Sequence, residues 1–284
     1  MKLALRKTRL VIHLLYGMWV VATRFSRVTP QQRFELNRAW SRRFLQLAGM
    51  RLVVHNDEAR IDEGALVVSN HISWIDIYVI NAWRPTRFVS KAEVRKWPVV
   101  GWLAFKLDTV FLQREKRSDA KRIMHELAGH LIAGHAICVF PEGTTSDGRE
   151  LLPFHANLFQ AAVSASRPVQ PICIYYEDAH GNQSTAPSYI DDMSLGESMH
   201  ALLCGAPLTA HVYVCDPLAP GAERRVLAAE AQAAVEGALE RLRPAGSRAR
   251  EAARMQPSQP QPQAADDDLP HPGDTPTPNG PLAQ

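Results

Sequence analysis

The sequence predicts an α/β domain with a central sheet, mostly parallel or mixed, flanked by helices and preceded by a two-helix membrane arm. Three observations carry that expectation. Between residue 51 and about residue 244, short apolar runs alternate with helix-length segments, as in a sheet covered on both faces. The fifty residues before them are apolar and basic at once, and the stretch after Arg243 is neither apolar nor periodic. Hydrophobic residues make up 46% of the 284 and charged residues 21%, enough apolar material for a full core. The expected division is therefore a membrane-associating arm at 1–50, a folded domain at 51–244 and a disordered tail at 245–284.

The arm opens with an apolar run at residues 10–22, broken by His13 and flanked by basic residues. A spanning helix needs about 20 apolar residues, and no small-residue cleavage site follows, so an in-plane or partly inserted anchor fits best. Tyr16 and Trp19 suit a membrane interface, and Arg24 and Arg27 suit lipid phosphates. Thr29, Pro30 and Gln32 then read as an N-cap, a first-turn proline and a capping-box partner. Leu36, Trp40, Phe44 and Leu47 recur at helical spacing, and Gly49 is a candidate C-cap. Lys2, Arg6, Lys7, Arg9, Arg24, Arg27, Arg33, Arg38, Arg42, Arg43 and Arg51 face one acid, Glu35, over this stretch. Such charge attracts anionic lipid or nucleic acid; its interleaving with an apolar anchor selects the lipid surface and argues against nucleic acid.

Within the domain, strands are expected at 51–55, 65–69, 87–90, 109–113, 136–140, 169–175 and 209–215, with helices at 118–133, 154–166 and 223–242. Cys138, Cys173, Cys204 and Cys215 form no CxxC pair. Three of them sit in apolar runs, where a free thiol is a small core side chain, and a reducing cytoplasmic setting follows. No metal-ligand spacing is present. His125 and His130 stand five apart, one more than a zinc-protease helix uses. His155, His180 and His211 have no partner spacing. The tail is rich in Pro, Gln, Ala and Asp, and buries too little to offset its ordering entropy.

The chemistry concentrates after two of the strands. Asn70-His71-Ile72-Ser73-Trp74-Ile75-Asp76 follows the apolar Leu66-Val67-Val68-Ser69, at a strand end, where open α/β sheets place their sites. Imidazole has the right pKa to take a proton from a hydroxyl, and a carboxylate can hold it in one tautomer. His71 and Asp76 are five apart, which on a regular helix is a rotation of about 140°. His71 must therefore precede the helix, or the helix must begin irregularly. Phe140-Pro141-Glu142-Gly143-Thr144-Thr145-Ser146 follows a second apolar strand and gives backbone close access to a ligand at Gly143. A third strand delivers Arg114, whose guanidinium suits a phosphate.

His-x4-Asp, a strand ending in Arg, Phe-Pro-Glu-Gly-Thr and Pro168-Val169-Gln170-Pro171 together resemble the glycerolipid acyltransferase family, which includes the 1-acylglycerol-3-phosphate acyltransferases. The resemblance covers roughly residues 52–216, and the two-helix arm is similar to that of bacterial members. It implies a catalytic dyad of His71 and Asp76, with Arg114, Glu142 and Gly143 holding the acceptor and Lys91 helping to bind its phosphate. It also implies acyl-CoA or acyl-acyl carrier protein as donor and no metal or tightly bound cofactor. The donor thioester is already activated, so no serine or cysteine nucleophile is required. The expected product is phosphatidic acid, made from 1-acylglycerol 3-phosphate at the cytoplasmic face of the inner membrane. Asp108 and Gln170 depart from the pattern without touching the dyad. Ser146-Asp147-Gly148 with Leu152-Pro153-Phe154 looks like relatives that acylate lyso-ornithine lipid, so that acceptor stays open. An inactive lipid-binding protein of the same fold would not need the His71–Asp76 pair. The oxyanion of the tetrahedral intermediate is expected to meet backbone amides near the His71 turn.

Overall fold

The computed structural model describes residues 2–112, 117–190, 192–221 and 223–244. In chain order the first part holds α1 (Lys2–Thr23), α2 (Pro30–Leu47), β1 (Met50–His55), β2 (Leu66–Ser69), α3 (Asp76–Trp83), β3 (Arg87–Lys91) and α4 (Val100–Lys106). It continues with β4 (Val110–Leu112), α5 (Arg117–Ile132), β5 (Ile137–Val139), α6 (Gln160–Ala165), β6 (Val169–Glu177), α7 (Leu195–Cys204), β7 (Leu208–Val214) and α8 (Arg224–Leu242). The tail at 245–284 and Arg114 lie outside the described residues.

The sheet is mixed. Its seven strands run in the order β1-β7-β6-β2-β5-β3-β4, and every neighbouring pair is parallel except β6 with β7. Alternation along β2 explains its unbroken apolar run. Leu66 and Val68 pack into a core with α5, α6 and α8, while Val67 faces the opposite layer with α3 and α2. A strand buried on both faces has no position for a polar side chain until it ends.

The helix expected at 154–166 is shorter than its apolar pattern suggests. A 3₁₀ turn at Ala156–Phe159 precedes α6. The backbone before it is drawn away from helical pairing: Phe154 N donates to Gln232 Oε1 and His155 N donates to Pro141 O, each at 2.9 Å. Helices α4 and α7 were not anticipated.

The capping box of α2 forms as read, with Gln32 N donating to Thr29 Oγ1 and Thr29 N to Gln32 Oε1. Ala48 is the C-cap, and Gly49 follows it at φ 78°, in the left-handed region that closes helices. Phe44 and Leu45 of α2 are buried in one core with Val79 and Ile80 of α3 and with Ala210 and Val212 of β7. This helix is thus packed on its own domain. Helix α1 is tied to it by polar contacts: Arg6 Nη2 donates to Ala48 O at 3.1 Å, Trp40 Nε1 to His13 O at 3.1 Å, and His13 Nε2 to Trp40 O at 2.9 Å. The histidine that interrupts the apolar run is therefore a docking residue. Among the described residues no helix is long and apolar enough to cross a membrane.

Candidate active site

His71 and Asp76 come together where β2 ends and α3 begins. Helix α3 starts at Asp76 itself, so His71 stands on the turn before it and the rotation along a helix never applies. His71 Nδ1 lies 2.8 Å from Asp76 Oδ2. The carboxylate is fully buried, and four donors surround it. Its Oδ2 also accepts from Ile72 N at 2.7 Å and Ser73 N at 2.9 Å, and its Oδ1 accepts from the Tyr176 hydroxyl at 2.6 Å. Helix N-termini favour negative charge in the same place. With Nδ1–H donated to the carboxylate, Nε2 is left as the acceptor.

Glu142 holds the same turn from behind. Its Oε1 accepts from His71 N at 2.6 Å and its Oε2 from Leu152 N at 3.0 Å. Burial raises its carboxyl, the two amides oppose that rise, and the net result is about 7. Ser146 N donates to His71 O at 2.9 Å, so both backbone groups of His71 are fixed by the loop that follows β5. Glu142 is almost fully buried and is absent from the cavity wall described below. One of its oxygens serves the histidine's backbone and the other that of Leu152. Gly143 turns that loop at φ 74°, and a side chain there would meet His155 at 3.3 Å.

Three of the backbone amides near the His71 turn already have partners. The His71 amide is committed to Glu142, and those of Ile72 and Ser73 are committed to Asp76. Lys91 ends β3, its backbone paired with Leu112 of β4. Gln170, a departure from the family pattern, is buried and structural: it accepts from Ile61 N and donates to Cys215 O.

His71 also lines a largely apolar cavity of about 480 Å³. Phe140 stacks on the imidazole with ring centroids 3.8 Å apart, and both rings form one part of the cavity wall. Four helices supply most of the remaining wall, with Tyr16, Gly17 and Val20 of α1, Trp40 of α2, Ile77 and Tyr78 of α3, and Val100 and Leu103 of α4, and β3 adds Phe88, Val89 and Ser90. Gly17 permits this closure, because a side chain there would stand 2.4 Å from Trp40 Nε1. Two contributors escaped the sequence reading. Tyr176 is separated from Asp76 by 100 residues and sits in an apolar strand that gives no hint of a polar task. Helix α4 is only 7 residues long; its cluster of aromatics was the available signal.

The comparisons with known proteins agree with this geometry. The family model Acyltransferase matches residues 51–175. A lyso-ornithine lipid O-acyltransferase of Pseudomonas aeruginosa is 38% identical over 213 residues, 75% of this chain and 81% of that protein. A 1-acyl-sn-glycerol-3-phosphate acyltransferase of Neisseria meningitidis is 37% identical over 153 residues, 54% of this chain and 60% of the relative. The crystal structure of the 1-acyl-sn-glycerophosphate acyltransferase PlsC from Thermotoga maritima shares the fold, with a TM-score of 0.62 and 23% identity over 84% of this chain and 97% of that one. Similarity of this extent to named enzymes, over most of both chains in the Pseudomonas case, establishes that the chain belongs to the glycerolipid acyltransferase family.

Proposed function

We propose that this enzyme moves a fatty acyl group from acyl-CoA or acyl-acyl carrier protein to the free hydroxyl of a lysolipid, with His71 as general base. The observation that carries the reading is His71, paired with the buried Asp76, standing on the wall of an apolar cavity. The acceptor hydroxyl gives its proton to His71 Nε2 as its oxygen attacks the thioester carbonyl. Asp76 keeps the ring in the required tautomer and stabilises the imidazolium. Collapse of the tetrahedral intermediate breaks the carbon–sulfur bond, and the imidazolium returns the proton to the departing thiolate. The cavity takes an acyl chain, each buried methylene contributing about 0.8 kcal/mol. Glu142 and Gly143 act by shaping the loop that holds His71, and Arg114 with Lys91 is assigned to the acceptor's phosphate. The basic arm, with its exposed apolar side, rests on an anionic membrane surface.

The first acceptor is 1-acylglycerol 3-phosphate, which would make phosphatidic acid. The Neisseria relative bears that name, and the phosphate-binding positions Arg114 and Lys91 favour it. Lyso-ornithine lipid is the second reading, favoured by the greater length of the Pseudomonas match. The test offers the purified protein both acceptors in competition and identifies the products by mass. Phosphatidic acid as the main product would support the first reading. Acylated ornithine lipid would leave the dyad in place and remove the phosphate role from Arg114. Transfer to neither acceptor would contradict the proposed function.

A further inference from the structure

The segment at 97–105, which carries α4, is exposed where a folded chain would normally hide its side chains. Trp97 is 46% exposed, Val99 51%, Trp102 38% and Phe105 49%. Packing within the domain does not explain this. Gly101, in the same helix, is buried so tightly that a side chain there would stand 2.2 Å from Arg95 O, so the helix is already seated against the chain before it. Val99 holds φ at 63°, a conformation a β-branched residue rarely takes, and in this conformation two adjacent valines stay in solvent.

Across the cavity, α1 exposes a matching face. Leu5, Ile12, Tyr16 and Trp19 recur at helical spacing and are each at least half exposed. Tyr16 of α1 and Val100 of α4 are both exposed and both line the cavity. The two apolar surfaces therefore meet at its mouth. Within the cavity wall, Val20 of α1 and Phe25 just after that helix pack with Leu103 of α4 and Leu107 at its C-cap, and hold the two helices together.

We infer that the segment at 97–105 is a second membrane-inserting element, which together with α1 turns the mouth of the cavity sideways into the lipid. The inference rests on the lysolipid reading above and specifies where the lipid enters. Charge identifies the occupant as an anionic bilayer rather than a protein. Arg95, Lys96 and Lys106 flank the α4 aromatics, against the nearby acids Glu93 and Asp108, the second of which is paired with Arg87. Arg24 sits 5.4 Å from the Trp19 ring and Arg95 4.3 Å from the Phe105 ring. Tryptophans beside cations, around an apolar tip, match the interfacial region of a bilayer. An acceptor with one long chain then need not leave the lipid phase to reach His71.

The experiment uses the full chain with vesicles of phosphatidylcholine and phosphatidylglycerol, with and without brominated acyl chains. Two variants are compared with wild type: Trp97→Ser/Trp102→Ser and Trp19→Ser. Neither Trp97 nor Trp102 lines the cavity. The expected result is tenfold or weaker vesicle binding for the double variant and loss of much of the bromine quenching. Its activity on an acceptor dispersed as monomers should stay at the wild-type level. If the double variant binds and quenches as wild type while Trp19→Ser does not, the inference fails and the α1 arm survives. If wild type does not bind vesicles at all, both readings fail. A concentration-dependent dimer of wild type, lost in the double variant without any vesicle binding, would assign the surface to a second copy and overturn the inference.

Discussion

The two halves of the site are built on opposite principles. Around His71, the carboxylates and the histidine's own backbone are occupied: Asp76 receives four hydrogen bonds, Glu142 two, and both backbone groups of His71 are fixed. Under α1 and α4 the wall is almost all apolar, and much of the outer surface is too. The contrast fits the tasks that the proposed function gives to each half. A base has to stand within a fraction of an ångström of its target and gains from rigid, oriented donors. A pocket for a chain of methylenes needs area and shape, which non-directional contacts supply. Substitutions in the first half should therefore lower turnover on every substrate, and those in the second should sort substrates by chain length.

The largest break in this contrast is expected from Glu142→Gln. Glutamine has one oxygen for two backbone donors, so either His71 N or Leu152 N loses its partner, at about 1–3 kcal/mol of stability. Displacing the His71 turn should lower kcat about a hundredfold, measured with saturating donor and acceptor. The same variant has a pH signature. The Glu142 carboxyl is raised from 4.5 to about 7 by burial, so in that window the folded protein holds the proton more tightly than the unfolded chain does. Wild-type stability gained from this group is present at acid pH and falls as pH rises from 4.5 to 7. Denaturant melts across that range should show the decline in wild type and its absence in the glutamine variant.

Tyr176→Phe comes next. It removes one of four donors to Asp76 and leaves the aromatic packing in place, and a hydrogen bond to a charged group is worth about 1.5–3 kcal/mol. Turnover should fall about tenfold with little change in KM for either substrate. An unchanged kcat would show that the hydroxyl satisfies only itself. On the apolar side, Leu103→Trp should fill part of the cavity between α1 and α4. Activity with long-chain donors should drop about fourfold for each methylene displaced, while short-chain donors are spared. A uniform loss across chain lengths would mean that the cavity is not the chain's seat. The smallest effect belongs to Asp108→Gly. Asp108 holds φ at 58° and pairs with Arg87 across an exposed 3.4 Å contact, which contributes little. Glycine adopts that φ freely, so thermal melting should move up by an increment worth about 1 kcal/mol or less.

How much of this was legible in the sequence follows the same division. The strands were, because an apolar run four residues long and flanked by turn residues, as in 66–69, has few other ways to be buried. The His71–Asp76 pair was legible as a local motif, since both partners stand on one turn. Tyr176 was not, because its partner lies 100 residues away and is reached only through the pairing of β2 with β6. Glu142 was found, but spacing cannot show that one of its oxygens holds the His71 backbone and the other that of Leu152. Helix α7 carried an unused signal in its Ser194–Glu197 capping box. The inner half of the arm was read as more separate than it is, because the periodicity of Trp40 and Phe44 marks a buried stripe without saying what buries it.

The central claim is that His71, held by Asp76 and Glu142, removes the acceptor's proton. The most direct measurement is kcat for acyl transfer by wild type and His71→Ala, purified side by side in detergent, with equal folding verified by circular dichroism. The account predicts a loss of about a thousandfold, with KM for the donor little changed because the helices that form most of the cavity wall stay in place. A His71→Ala protein that turns over within a few-fold of wild type would contradict the mechanism.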